Sequence, residues 1–271
     1  MRSPKELSLD NKITGALNAL IPPGKALRTV QLLMEDDEIQ SLQEYANTVS
    51  IKRLGFNDHG PVHMRSVVLN AIIMMGLLRK AGIPTSLETE ECGAFEDSLT
   101  AVLIAAFLHD LGMSVGRQDH ELHSAYLSCP IIDRILKKIY PADTARRVMV
   151  RSLALEGISG HMGNRTIHSL EAGVILVADG CDMKKGRARI PMALAGSPRV
   201  GDMHKYSANS IEDVRIQAGE EKPIRIEVLM SSEVGLFQIE EVLLGKISAS
   251  TAKAYIELYA LVNNDKPKRY L

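Results

Sequence analysis

Thiol chemistry has little to work with in this chain. Its 271 residues include three cysteines, Cys92, Cys129 and Cys181, far apart and without a C-x-x-C pair. An odd count with no close pairing argues against a disulfide framework and against a cysteine-type zinc site, and fits a reducing compartment. Charge of one sign is missing too: 32 Lys and Arg stand against 33 Asp and Glu, a formal net charge of −1. General nucleic-acid binding by bulk charge is therefore disfavoured, because a phosphate-binding footprint makes a domain basic. The longest apolar run, Val67–Leu78, is broken by Asn70 and falls short of the ~20 residues of a membrane span. Met1-Arg2-Ser3-Pro4 leads into polar residues, not the apolar stretch of a signal peptide. There is no internal repeat and no low-complexity tract. The expectation is a cytoplasmic protein with no membrane partner.

What is present is an ordinary globular composition, 45% hydrophobic and 24% charged. A chain of this length buries roughly three-quarters of its unfolded surface and needs no staples. The pattern is mainly α. Residues 1–34 read as a short arm broken at Pro22-Pro23-Gly24, and the acidic run Glu35-Asp36-Asp37-Glu38 opens a helix reaching about Leu54. Gly60-Pro61 opens a second helix that stops near Lys80, before Ala81-Gly82-Ile83-Pro84. Ser98 is placed to cap a third, Leu99–Leu108, apolar almost all round. Further helices are expected at about 120–140, 142–156 and 166–183. After residue 200 the period changes to two: Val214–Ile216 and Ile224–Val228, joined by Gly219–Lys222, read as a β-hairpin. Phe237–Ile239 adds a strand or starts a helix, and 248–262 reads as a terminal helix. The division is an N-terminal helical arm at 1–55, a helical bundle domain at 56–200 and a small C-terminal α+β appendage at 201–271.

The strongest chemical signal is His109-Asp110. A run that is apolar except for Thr100 leads directly into it. Buried polar groups need compensation, and a divalent metal supplies it through imidazole nitrogen and carboxylate oxygen. A buried His-Asp pair also serves as a plain helix-terminus hydrogen bond. The other residues add weight. Asp58-His59-Gly60-Pro61-Val62-His63 sets histidines at i and i+4 ahead of a second apolar helix, with His63 the better ligand candidate. His120 and His123 follow in a helical segment, His161 lies in a Gly160-His161-Met162-Gly163 loop, and Asp179 ends the apolar run Val174–Ala178, where the alternative is a helix cap. Three separate apolar stretches adjoining a His or an Asp point to a metal site at the centre of a helix bundle. A nitrogen and oxygen donor set without thiolates favours manganese, iron, zinc, cobalt or magnesium.

The order His63 … His109-Asp110 … His120 … His161 … Asp179 resembles the HD superfamily of metal-dependent phosphohydrolases. Asp58–Val67 is similar to that family's first motif, Ala105–Gly112 to its namesake motif and Val177–Asp179 to its last. The wider pattern, with Gly186–Pro191 and the α+β tail, is similar to an archaeal branch of uncharacterised members. The resemblance implies an HD-type domain in which His63, His109, Asp110 and Asp179 form the basic site, with His109-Asp110 at the catalytic core. It also implies a binuclear site in which Asp110 bridges two ions and His120 and His161 serve the second. His123 stays as the alternative to His120. Met113 departs from the pattern, since a lysine is frequent there, so that phosphate contact has to come from elsewhere.

The implied reaction is hydrolysis of a nucleotide or small phosphorylated metabolite by a metal-activated water. Arg117, Lys184, Lys185, Arg187 and Arg189 are the candidate phosphate-binding cations, although a basic helix end also occurs simply solvated. Two other readings share the ligand set: a diiron oxygenase, and a non-catalytic metal- or ligand-binding regulatory protein. Arg225 and Glu227 alternate with apolar residues on a possible edge strand of the hairpin, which fits a homodimer.

Overall fold

A computed structural model describes residues 2–185, 203–263 and 267–271. The order is α1 (Pro4–Leu20), α2 (Lys25–Glu35), α3 (Asp37–Thr48), α4 (Pro61–Lys80), the short α5 (Ser86–Thr89), α6 (Phe95–Leu108), α7 (His120–Ile139), α8 (Thr144–Gly160) and α9 (Leu170–Gly180). A short helix, Met203–Ser210, then leads into a sheet of β1 (Ile211–Ala218), β2 (Ile224–Met230), β3 (Ile256–Val262) and β4 (Lys268–Arg269). The protein is mainly α with a small C-terminal sheet, as the change of period after residue 200 predicts.

Local chemistry explains the helix starts. Ser3 caps α1 in a reciprocal box with Glu6, and Pro4 occupies the first turn. Asp36 caps α3 by accepting from the Glu38 and Ile39 amides. α6 begins earlier than the sequence predicts. Its first residue is Phe95, and Asp97, not Ser98, reaches back to the Ala94 amide at 3.0 Å. Ser98 is buried inside the helix, its hydroxyl without a partner among the described residues. Apart from Glu96, every residue of α6 is buried, and the helix packs against α2, α4, α8 and α9. That position explains why its apolar pattern has no polar face. α4 has the length and hydropathy of a membrane span, and 61% of that window is buried within the fold. One apolar cluster runs without a break from Ile13 and Leu17 in α1, through Val30 and Leu33 in α2, to Ile226 and Leu258 in the sheet.

The terminal helix expected over 248–262 is a correction. The α-helix ends at Ala249, a single 3-10 turn follows at Lys253–Tyr255, and Ile256–Val262 is strand β3. Ile256, Leu258 and Ala260 pair with Ile224, Ile226 and Val228 in parallel register and are buried with them. Glu257, which interrupts the alternation, is also fully buried because its carboxylate accepts from the Glu220 and Glu221 amides of the hairpin turn. β1 and β2 are antiparallel, as the hairpin pattern predicts, but β2, which carries Arg225 and Glu227, is not an edge strand, because β3 pairs with its other side. Parallel pairing of β2 with β3 requires a crossover. Here the crossover contains a helical stretch at 236–249, which packs against α9. Phe237–Ile239 therefore starts a helix and adds no strand.

Arg65 ties the N-terminal helices to α4. Its guanidinium is buried and donates to Asp10 Oδ1 at 2.7 Å, to Gln43 at 3.3 Å and to the Pro61 carbonyl at 3.2 Å. Removing one partner of such a pair strands the other charge. Asp10→Ala is expected to lower the unfolding free energy by about 3 kcal/mol, read as a lower urea midpoint at unchanged slope. A loss below about 1 kcal/mol, the worth of an exposed pair, would show that Arg65 is not held as described.

Candidate metal centre

Five helices bring polar side chains to one point. His63 lies in the first turn of α4, His109 is the C-cap of α6 with Asp110 following, His120 opens α7, His161 is the C-cap of α8, and Asp179 lies in the last turn of α9. The histidines and Asp110 are almost completely buried. Close approach of α7 to the end of α6 depends on Gly112. A Cβ there would lie 2.0 Å from the His120 carbonyl oxygen and 2.5 Å from the Ser124 amide, and the Gly112 amide donates to Ser124 Oγ at 2.8 Å.

Asp110 stands between two groups. Its Oδ2 faces His63 Nε2 at 3.2 Å and His109 Nε2 at 3.5 Å. Its Oδ1 faces His120 Nε2 at 3.3 Å and His161 Nε2 at 3.4 Å. Asp179 Oδ1 joins the first group, 3.2 Å from His63 and 3.7 Å from His109. Ligand atoms of His63, His109 and Asp110, of His109, His161 and Asp179, and of Asp110, His120 and His161 all lie within 4.8 Å of one another. The six residues singled out as ligands are thus brought together.

Proton positions follow from the other ring nitrogens. Nδ1 of His109 bonds the Ala106 carbonyl at 2.9 Å, that of His161 the Ile158 carbonyl at 2.7 Å, and that of His120 the Arg117 carbonyl at 2.9 Å. A carbonyl only accepts, so each Nδ1 carries a proton, and a ring that carries no second one turns an Nε2 lone pair inward. His63 Nδ1 is likewise held, by Asp182 Oδ2 at 2.7 Å. Facing Nε2 atoms lie only 3.2 Å apart, His63 against His109 and His120 against His161. Lone pairs this close repel unless a cation lies among them.

Burial opposes ionisation of Asp110, but His109 and the surrounding imidazoles outweigh it and hold the carboxyl well below its usual range. Asp179 is also held far down, against burial, chiefly by the Lys246 ammonium and then by His109 and His63. Burial pushes His161 down to about 4, which keeps it neutral near pH 7. Cys181 is driven up by burial and by Asp179 and Asp182, so it stays a protonated thiol. The donor set is carboxylate and imidazole, which fits a divalent ion of intermediate hardness.

The other sequence candidates divide. His123 is half-buried, and among the described residues its Nδ1 lacks a hydrogen-bond partner and it joins none of the ligand groups. His120 takes the place for which both were considered. His59 bonds Ser50 Oγ and the Asn57 carbonyl and is not among those groups either. Arg117 is exposed, with Nη1 3.4 Å from His120 Nε2. Lys184 pairs instead with Asp213 of β1 at 2.6 Å, and Lys185 is exposed. Arg187 and Arg189 lie outside the described residues. Three supporting residues escaped the sequence reading. Asp182 orients His63, and its signal was a second acid three residues after Asp179. Glu121 sits beside His120 Nδ1 at 3.4 Å and is held by Asn164. Lys246 pairs with Asp179 Oδ2 and donates to the His161 carbonyl at 2.9 Å; it comes from the crossover helix and has no local signal at all.

Comparison with known proteins gives one informative relationship. The chain is 45% identical over 235 residues to the uncharacterised protein MJ1020 of Methanocaldococcus jannaschii, covering 87% of this chain and 88% of the relative. No protein-family model matches the chain, and no solved structure does.

After separate reconstitution with manganese, iron and zinc, elemental analysis is expected to give about two ions per chain for the best-bound metal, falling to about one in His120→Ala and in His161→Ala. Gly112→Ala, which displaces the start of α7, is expected to lose the same ion with the ligands intact. About one ion, unchanged in all three variants, would leave only the group built on His63 and Asp179.

Proposed function

The chain belongs to the same protein family as the Methanocaldococcus jannaschii relative, and we propose that it is a metal-dependent phosphohydrolase of the HD type, acting on a nucleotide or another small phosphorylated metabolite. The observation that carries the reading is the convergence of four imidazole lone pairs on the two oxygens of one ionised carboxylate, Asp110. His63, His109, Asp110 and Asp179 would hold one ion; His120, His161 and Asp110 would hold the second. Manganese, iron, zinc, cobalt and magnesium are the candidates. When bound, divalent ions supply Lewis-acid charge to phosphoryl oxygens and bring water into a reactive range of ionisation.

The chain's own residues do the rest. The helix-end carbonyls of Ala106 and Ile158 and the Arg117 carbonyl hold three imidazoles in the tautomer that offers Nε2. Asp182 fixes the ring of His63 and raises its basicity. Asp110 stays ionised, so it serves both sides without a proton to lose. Arg117 presents an exposed guanidinium beside His120, a group suited to a phosphoryl oxygen.

The test is release of inorganic phosphate from a panel of nucleotides, sugar phosphates and phosphodiesters by metal-loaded protein. Turnover is expected for the wild type and its loss in Asp110→Asn. Asp182→Asn is expected to cost on the order of 10- to 100-fold in metal affinity or activity. Full metal loading with no phosphate released from any member of the panel would overturn the proposal, and oxygen uptake by the iron form would redirect it to oxidative chemistry.

A further inference from the structure

Lys246 is unusual in what it joins. It lies in the crossover between β2 and β3, 67 residues beyond Asp179, yet its ammonium reaches the metal centre. It pairs with Asp179 Oδ2, the oxygen turned away from the imidazoles, while Oδ1 faces His63 and His109. It also donates to the backbone carbonyl of His161, on the other side of the centre. The slot is built for it: a Cβ on Gly180 would lie 3.1 Å from Lys246 Cδ, so the residue after Asp179 is one that leaves the stem room.

Two further facts give this cation more than a supporting part. An ammonium has three N–H donors, and two of them find acceptors, leaving one with none among the described residues. What little solvent exposure the centre has is on this side. The side chains of Lys246, Asp179 and Asp182 are each 11% exposed, against 3% or less for Asp110 and the four histidines. With two divalent ions in place, Asp110, Asp179, Asp182 and Glu121 would balance the charge of the ions, and Lys246 would leave the centre positive. Such a centre favours an anion at its open edge.

We propose that Lys246 is an anion-binding residue of the centre: its free N–H contacts a tetrahedral oxyanion, the phosphoryl group of a substrate or free phosphate, at the edge beside Asp179. The C-terminal unit thereby completes the site formed by the helices. This rests on the metal reading above but is independent of any turnover.

The experiment measures inorganic phosphate binding to ion-loaded protein by calorimetry, with ions counted in the same samples. Wild-type protein is expected to bind phosphate. Lys246→Met, which keeps the aliphatic stem, is expected to weaken phosphate on the order of 10- to 100-fold, the worth of one hydrogen bond to a charged group, with the ion count unchanged. Lys246→Gln, which keeps a donor without the charge, should fall between the two. Unchanged phosphate affinity in Lys246→Met would overturn the proposal. So would a fall in ion count that accounts for the lost phosphate, since Lys246 would then only support Asp179. Ion-loaded wild-type protein that ignores phosphate at millimolar concentration would overturn it as well. Wild-type protein that takes up no ion would fail differently: it would remove the metal centre itself, and this inference with it. If phosphate binds as expected but no ester is hydrolysed, the anion site stands and the phosphohydrolase reading falls.

Discussion

The Asp110 carboxylate is buried with one oxygen toward His63 and His109 and the other toward His120 and His161. No hydrophobic contact can compensate that arrangement. A buried carboxylate needs charge or hydrogen bonds of opposite sense, and the four rings that surround it spend their Nδ1 protons elsewhere. Much of the architecture follows from this demand. α6 and α8 both terminate in a histidine C-cap at the centre, and their last-turn carbonyls, which have no partner further along the helix, become the acceptors that orient the rings. The cost of ending two helices inside the protein and the cost of orienting two imidazoles offset each other.

The same demand explains where the fold is tight. α7 must begin almost on top of the end of α6, so that His120 reaches the oxygen of Asp110 that His63 leaves free. Gly112 permits this by presenting no side chain to the His120 carbonyl. Asp119, immediately before α7, adopts a left-handed conformation, φ 52°, which Asp tolerates better than most residues. Gly112 and Asp119 thus both serve the connection where two ligand-bearing segments nearly touch.

Much of this was legible in the sequence because burial and chemistry coincide along the chain. His109-Asp110 and Asp179 stand at the ends of apolar runs, and a polar residue there contrasts with its neighbours. His63 was marked by the Pro61 that starts its helix. The local reading failed where the determinant is distant. Ser98 has the composition of a cap, but Asp97 reaches the Ala94 amide and α6 starts a turn earlier. Residues 256–262 look helical alone, and become a strand because β2 offers them a parallel edge and the hairpin turn offers Glu257 two amides. Asp182 had a faint signal in its spacing from Asp179. Lys246 had none, since a lysine on a short helix is ordinary until the chain's return path is known.

That return path links the sheet to the chemistry. β2 and β3 run parallel, so the chain has to travel back along the sheet before β3 can begin. The helical stretch that makes the journey packs on α9, the helix that carries Asp179. Sheet pairing thus requires the crossover, the crossover lays the stretch against α9, and the stretch carries a partly exposed ammonium to Asp179 and His161. A small sheet attached to a helical bundle would ordinarily be free to vary without consequence for a centre inside the bundle. Here the segment that joins β2 to β3 also supplies the ammonium at Asp179, so a change that repacks this crossover on α9 would alter the electrostatics of the buried cluster.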